Sequence, residues 1–137
     1  VKEVNKNSKN IRVNKEEIFQ VILNLVENAI RYSGKGSTIT VKLDIAKTKP
    51  NGLSINSWPA MCLEIKDNGP GIDKAHIGRL TERFYRVDAS RSKEIGGTGL
   101  GLAIVKHIVN RHRGLLIIES ELKVGSKFSI YLKNYKK

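Results

Sequence analysis

Apolar residues near the start of the chain recur with helical periodicity. An asparagine at position 14 precedes acidic residues and then apolar side chains at i, i+4, i+7 and i+11 spacing, typical of an amphipathic helix. The helix is predicted to end near Tyr32 and to bury Ile18, Ile22, Leu25 and Ala29. Asn24, Asn28 and Arg31 are expected to form a polar cluster on the opposite side of this helix.

Elsewhere, apolar and polar residues alternate in short segments, which is typical of strands. A short strand is predicted at residues 11–13, ahead of the helix. The alternation at 39–45 and 63–65 predicts two half-buried strands that form a hairpin with a long connection. Two further strands are predicted at 115–120 and 127–132.

Two more helices are predicted between these strands. Residues 73–84 are expected to contain one short helix, and residues 99–113 an amphipathic helix that is capped by Gly114. Between these helices, residues 85–97 carry few apolar side chains, which favours a mobile flap.

Composition narrows the class of protein. The 137 residues are enough for one domain, and no apolar run approaches the length of a membrane span. The first residue is Val rather than Met, so we expect an excised piece of a longer chain. A net charge of +12 fits an acidic partner, but the lysines are dispersed and aromatic residues make up only 6%, so nucleic acid is not expected.

Two glycine-rich turns suggest a ligand that bears phosphate. One covers residues 67–71, and the other, residues 96–101, runs directly into the predicted helix, where free N–H groups favour anions. The second loop is not a Walker A loop, because Gly101 is followed by Leu102 rather than Lys, and its spacing does not fit a dinucleotide-binding fingerprint. Glycines before a helix also serve as plain turns and caps, so the loops alone leave both interpretations open.

Four segments together resemble one family. Residues 24–32 (NLVENAIRY), 67–72 (DNGPGI), 82–88 (ERFYRVD) and 97–102 (GTGLGL) closely resemble, in order, the N, G1, F and G2 boxes of sensor histidine kinases. By this resemblance the chain is identified as a catalytic ATP-binding domain of the superfamily shared with DNA gyrase and the heat-shock chaperone ATPases. Residues 103–120 also resemble the phosphate-regulon type of sensor kinase.

The resemblance implies a fold and a cofactor. The expected fold is α/β, a two-layer sandwich known as the Bergerat fold, with a mixed, mostly antiparallel sheet of about five strands and three helices. ATP would lie between the helix layer and a flexible ATP lid, and Mg²⁺ would bridge its phosphates. The whole chain, residues 1–137, would be this one domain of a longer sensor kinase.

The resemblance also implies roles for individual residues. Asn28 would coordinate Mg²⁺, Arg31 and Arg86 would contact the phosphates, Asp67 would accept a hydrogen bond from the adenine amino group, and Tyr32 would pack beside the base. The catalytic group would therefore comprise Asn28, Arg31 and Arg86. The remaining nucleotide-binding positions would be Asn24, Gly69, Gly71, Ile72, Tyr85, Gly97, Thr98, Gly99, Leu100, Gly101 and Leu102.

The same motif favours phosphoryl transfer over hydrolysis. Related ATPases carry a Glu four residues before the metal-binding Asn, and here that position is Asn24, which has no useful basicity. The acceptor motif of histidine kinases is absent, and His107 and His112 fit helix-surface positions. The resemblance thus implies that a separate helical dimerisation domain supplies the acceptor histidine and that a response regulator receives the phosphoryl group.

Two alternatives remain open: an ATPase or nucleotide-dependent conformational switch, and a basic binding module without catalysis. In the kinase interpretation the parent protein is a homodimer through the missing domain, and this fragment alone is monomeric. The domain would be cytoplasmic, and its parent would be anchored in the inner membrane.

Overall fold

The computed structural model describes residues 10–85 and 100–135, which form an α/β fold with one sheet. The helices of this part of the chain are α1 (Lys15–Ser33), α2 (Lys74–Ile77) and α3 (Gly101–Arg111), with a 3-10 turn at Ile55–Ser57. The strands are β1 (Ile39–Ile45), β2 (Ala60–Asp67), β3 (Leu115–Glu121) and β4 (Gly125–Lys133).

The sheet has the order β1-β2-β4-β3, and every strand pair in it is antiparallel. The predicted α/β class and the β1–β2 hairpin are confirmed, while the sheet has four strands instead of about five and contains no parallel pair among the described residues. The predicted strand at 11–13 is wrong. Residues 11–13 pair with no strand of the described sheet; Ile11 and Val13 pack against the core, and the preceding Asn10 bonds to Asn134 and Tyr135 just after β4.

The core lies between one face of the sheet and the two long helices. Residues directly opposite each other share a face, so Ile65 of β2 and Phe128 of β4, which are paired, both face the helices. The buried core consists of Val21, Leu25, Ala29, Ile65, Val105, Ile108, Val109, Phe128, Ile130 and Leu132. The helices therefore form one layer and the sheet the other, as the resemblance implied.

The ends of the long helices are fixed by local hydrogen bonds. The side chain of Asn14 accepts a hydrogen bond from the backbone N–H of Glu17 at 3.0 Å, which confirms the predicted N-cap of α1. At the end of α3 the prediction needs correction, because the left-handed residue is Arg113, with φ 55°, rather than Gly114. Gly114 is required for a different reason: a Cβ there would lie 2.4 Å from the backbone oxygen of Tyr131.

Two other predicted features differ in extent. The alternation in β1 was expected to bury one face, but Val41 and Leu43 are 52% and 44% exposed because β1 is an edge strand. The helix expected within 73–84 comprises only Lys74–Ile77 and is followed by turns. Within residues 10–85 and 100–135, no helix is long and apolar enough to cross a membrane.

Candidate functional site

The middle of α1, the end of β2 and the start of α3 meet at one end of the molecule. Asn24 joins two of these elements: its Nδ2 donates to the backbone oxygen of Gly101 at 3.2 Å, and its Oδ1 accepts from Gln20 at 2.7 Å. Asn24 is 9% exposed, so the expectation that it belongs to an exposed polar face is wrong. Its amide holds the first residue of α3 against α1.

Asn28 lies one helical turn after Asn24. It is half-buried, and its side-chain amide forms no hydrogen bond with any residue in the described part of the chain. A partly buried amide without a protein partner loses free energy unless water or a ligand satisfies it. Asn28 therefore presents an amide oxygen and an N–H₂ group that are available to a ligand.

Asp67, at the end of β2, is a buried carboxylate. Its Oδ1 accepts a hydrogen bond from the backbone N–H of Gly69 at 2.9 Å, which closes the turn after the strand. Within residues 10–85 and 100–135, Oδ2 has no hydrogen-bond partner. A buried carboxylate with one free oxygen is well suited to accept a hydrogen bond from a ligand.

The turn that follows Asp67 depends on close backbone contacts. A Cβ at Gly69 would lie 2.5 Å from the Cα of Ser33, the last residue of α1, so this glycine lets the turn pack directly against the helix end. Gly71 has φ +76°, and a Cβ there would lie 2.1 Å from the backbone oxygen of Glu121. The structure thus gives both glycines a packing role, while their predicted contact with a base stays a prediction.

Ile72, Leu100, Gly101 and Leu102 were also expected at the site, and the structure places them around it. Ile72 and Leu102 pack against the core, and the N–H of Ile72 donates to Ser120 Oγ at 2.7 Å. Leu100 is the N-cap residue of α3, and no side-chain hydrogen bond caps this helix. The first N–H groups of this eleven-residue helix thus lack a side-chain cap, and N–H groups at a helix start favour anions.

Arg31, Tyr32 and Tyr85 were also expected at the site. Arg31 and Tyr32 are exposed near the end of α1. The Tyr85 hydroxyl forms a short hydrogen bond with His76 Nδ1, and the guanidinium of Arg79 lies 4.5 Å from the centre of the tyrosine ring. Phe84 is 70% exposed and has φ 62°.

Part of the predicted site lies outside the described residues. Arg86, Gly97, Thr98 and Gly99, together with all but the first residue of the predicted lid at 85–97, belong to this group, and their roles stay predictions.

Sequence reasoning missed three side chains that organise the site. Gln20 holds the amide of Asn24, Ser120 holds the turn at Ile72, and His76 holds Tyr85. The i, i+4 spacing of Gln20 and Asn24 was a usable signal. The other two contacts join residues that are 48 and 9 positions apart in the sequence, and no local pattern marks them.

The donor set around Asn28 fits magnesium better than a transition metal. No group of three or more His, Cys, Asp or Glu side chains converges anywhere in residues 10–85 and 100–135. Mg²⁺ keeps several water ligands and is usually bound through one or two protein oxygens together with substrate phosphates. The free amide oxygen of Asn28 fits this requirement.

The outer face of the sheet carries the groups whose pKa values shift most. Burial raises the pKa of the Cys62 thiol, and Tyr131 lies next to it on β4. Burial, together with the negative charge that Cys62 can carry, raises the pKa of Tyr131 to about 12. These groups lie on the opposite face of the sheet from α1 and are not part of the site.

Residues 13–136 match the family of histidine kinase-, DNA gyrase B- and HSP90-like ATPases. The chain belongs to this family.

Curated relatives fall within one branch of the family. The chain is 43% identical to the phosphate regulon sensor protein PhoR of Haemophilus influenzae and 41% identical to PhoR of Pseudomonas aeruginosa, over 87% and 84% of its length. It is 36% identical to the sensor histidine kinase WalK of Bacillus subtilis over 76% of its length. The matched region covers 25%, 24% and 16% of these relatives, so the chain spans about a quarter of their length or less.

Solved structures agree with the fold. The mycobacterial sensor histidine kinase MprB superposes with a TM-score of 0.75 at 30% identity, covering 93% of this chain and 78% of that one. The catalytic domain of histidine kinase ThkA superposes with a TM-score of 0.69, covering 90% of this chain and 70% of that one. At 23% identity the second likeness supports the fold alone. The predicted resemblance to histidine kinase ATP-binding domains is confirmed.

Proposed function

We propose that this chain binds Mg-ATP and donates its γ-phosphoryl group to a histidine on a separate domain of a two-component sensor kinase. One observation carries the proposal: Asn28 and Oδ2 of Asp67, at the same end of the fold, have no protein hydrogen-bond partner in the described residues. Unpaired polar groups at partly or fully buried positions are costly and are typical of ligand sites. Membership of a family of ATPase domains supports ATP as the ligand.

Asp67 would select adenine. Its Oδ1 is occupied by the N–H of Gly69, which leaves Oδ2 as the acceptor for the exocyclic amino group of the base. Guanine presents a carbonyl oxygen at the same place, and two acceptors facing each other cannot form a hydrogen bond. The domain therefore prefers ATP to GTP.

The phosphates would lie between Asn28 and the start of α3. Asn28 would hold Mg²⁺ through its amide oxygen, and the bound ion would neutralise charge on the phosphates. The N–H groups at the start of α3 would bind phosphate oxygens directly. Arg31, at the end of α1, and Arg86 are the side chains that would add positive charge there.

In the proposed reaction the γ-phosphoryl group passes from an oxygen of the β-phosphate to a ring nitrogen of the acceptor histidine. A ring nitrogen of the acceptor histidine attacks the γ-phosphorus, the P–N bond forms as the P–O bond to the β-phosphate breaks, and ADP leaves with the electron pair. The proton on the other ring nitrogen is released. The domain contributes positioning and charge stabilisation, which provide most of the catalysis in phosphoryl transfer.

Hydrolysis is disfavoured by Asn24. An amide cannot act as a general base, and this amide is already engaged by Gly101 and Gln20. The ATPase interpretation would need another base near Asn28. Glu27 is the adjacent residue, and it is rotated by about 100° around the helix axis from Asn28.

The partners follow from the reaction. A helical dimerisation domain of the same sensor kinase would supply the acceptor histidine, and a response regulator receiver domain would take the phosphoryl group onward. The names of the relatives, sensor proteins and sensor histidine kinases, support this assignment. We place the domain in the cytoplasm, where ATP is available, with its parent anchored in the inner membrane.

Asn28→Ala tests the proposal, with Asn51→Ala as the matched control, since Asn51 is an exposed asparagine in a turn. ATP binding should be measured by calorimetry with and without Mg²⁺. Asn28→Ala should lower affinity about tenfold or more in Mg²⁺ and change it little in EDTA, in keeping with the loss of a charge-assisted contact. Asn51→Ala should bind as the unmodified chain does.

A second measurement separates transfer from hydrolysis. The chain alone should neither hydrolyse ATP nor label itself, and it should label an added helical histidine domain from radioactive ATP. Steady hydrolysis by the chain alone, abolished by Asn28→Ala, would establish the ATPase alternative instead.

A further inference from the structure

A cleft lies at the end of the fold opposite the nucleotide site. It is enclosed by the 3-10 turn at Ile55–Ser57, the end of α3 and the end of β4, and its volume is about 900 Å³. Because α3 rises 1.5 Å per residue, its two ends are roughly 15 Å apart, and Gly101 at the nucleotide site is at the far end. The cleft is thus a separate site.

The cleft is cationic. Arg113 and Lys133 line it, and none of its lining residues is a carboxylate. In the described part of the chain, neither of these cations forms a salt bridge. A third cation, Arg12, lies over the ring of Tyr135, another lining residue, with its guanidinium carbon 4.7 Å from the ring centre. Such a site favours a negatively charged ligand.

Arg113 is held there at a cost. Its φ of 55° is in the left-handed region, which residues other than glycine and asparagine seldom adopt. The N–H of Arg113 donates to the backbone oxygen of Asn110, and its own backbone oxygen accepts from Ser57 Oγ. These bonds fix the backbone, while the guanidinium has no hydrogen bond or salt bridge to any residue in 10–85 and 100–135. Strained residues of this kind concentrate at binding sites.

The remaining lining groups indicate the kind of anion. Trp58 and Tyr135 provide aromatic walls, and Asn56 and Asn110 provide side-chain amides that pair with no described residue. Amides of this type match the N–H and C=O groups of an extended peptide, whereas the cations match carboxylates. We propose that this cleft binds an acidic peptide segment of a partner protein, with its carboxylates on Arg113 and Lys133.

The chain contains a built-in reporter for this proposal. Trp58 is the only tryptophan in the sequence, and it lines the cleft, so tryptophan fluorescence reports on this site. The probe is a capped hexapeptide, Glu-Leu-Glu-Gly-Glu-Leu, titrated into the chain at low salt. The matched probe replaces each Glu by Gln. The acidic peptide should change Trp58 fluorescence saturably, and the Gln peptide should not.

Variants then locate the binding. Arg113→Asn removes the charge but keeps a residue that tolerates the left-handed conformation, and Lys133→Gln removes the second charge. Each should weaken peptide binding about tenfold, as expected for loss of a charged hydrogen bond. Lys35→Gln removes one charge at an exposed turn elsewhere and should have no effect. ATP affinity, measured on all three variants, should be unchanged and reports that the fold is intact.

Two outcomes would overturn the proposal. Equal loss in Lys35→Gln would mean that the peptide responds only to the net charge of +12. A fluorescence change with inorganic phosphate that the peptide does not produce would mean that the cleft takes a small anion and not a peptide.

Discussion

The two ends of the α1–α3 helix pair are built differently. At one end, where α1 begins and α3 ends, two contacts link the helices: the backbone N–H of Asn14 donates to His112 Nε2 at 3.0 Å, and Arg111 pairs with Glu17 at 2.6 Å. His112 Nδ1 also bonds the backbone oxygen of Ile108, within α3, at 2.8 Å. We call this the linked end, and the end where α3 begins the open end. Where α3 begins, one side-chain bond, from Asn24 to Gly101, joins the helices in the described residues.

The difference separates the contacts that stabilise the helix pair from the groups expected to bind the nucleotide. At the linked end, His112 Nε2 and Glu17 Oε1 each bind a group of the other helix, so we expect changes there to act on folding. Glu17 Oε2 is buried there without a hydrogen-bond partner among the described residues. At the open end, Asn28 and Oδ2 of Asp67 have no hydrogen-bond partner within residues 10–85 and 100–135, so we expect changes there to act on nucleotide binding. His112 was expected on the helix surface, but its side chain is only 12% exposed, because it bridges the two helices.

The largest expected effect is at the turn that shapes the open end. Gly71→Ala would place a Cβ 2.1 Å from Glu121 O, whereas Gly36→Ala, at nearly the same φ of +78°, meets nothing within 4 Å. Gly36→Ala should cost about 1 kcal/mol in the free energy of unfolding and Gly71→Ala about 3 kcal/mol or more. Urea denaturation measures both. Equal losses would mean that backbone conformation alone, and not the close contact, makes Gly71 necessary.

The next effect is on ligand choice at the open end. In Asp67→Asn the side-chain oxygen can still accept from Gly69, so the turn and the stability should be kept, while an N–H₂ group replaces Oδ2. ATP binding should weaken by about 1 to 3 kcal/mol and GTP binding should improve, because the new donor matches the guanine oxygen. Calorimetry with both nucleotides decides. An unchanged ratio of ATP to GTP affinity would mean that Asp67 does not contact the base.

A change at the linked end should lower stability and leave nucleotide binding unchanged. His112→Ala removes the acceptor for Asn14 N–H and the bond to Ile108, so the free energy of unfolding should fall by about 1 to 3 kcal/mol. ATP affinity should not change. If affinity fell together with stability, the two ends would be coupled through α1 and α3, and the separation drawn above would fail.

The smallest effect concerns the outer sheet face, away from both ends. Folding raises the pKa of Tyr131 from 10.0 to about 12, so the unfolded chain releases this proton first. The contribution of Tyr131 to the free energy of unfolding should therefore be constant below pH 10 and should fall as the pH rises towards 12. Tyr131→Phe should reduce that fall, measured by denaturant unfolding at alkaline pH. The same slope in the variant would assign the loss to other groups, Cys62 first.

Local patterns predicted most of the elements correctly. The Asn14 cap, the helical period of α1 and the places of the four strands depend on neighbours in sequence, and the structure confirms them. Asn24, Asn28 and Asp67 were assigned to the site from short motifs of the same local kind, and their roles in binding stay predictions. The failures at residues 11–13 and at Gly114 arose where contacts with distant segments decide the local structure: Ile11 and Val13 pack against the core, and Gly114 lies against the backbone of Tyr131.

The sequence by itself therefore determined the class of fold, the family and the residues around which a nucleotide site could form. Only the tertiary structure decided which polar groups are used within the protein and which remain available. Asn24 and Asn28 are the same residue type one helical turn apart, yet α3 binds the first, while the second has no partner in the part of the chain that the structure describes. The physical reason is that hydrogen bonds between distant segments depend on how helices and sheet pack, which spacing along one helix does not encode.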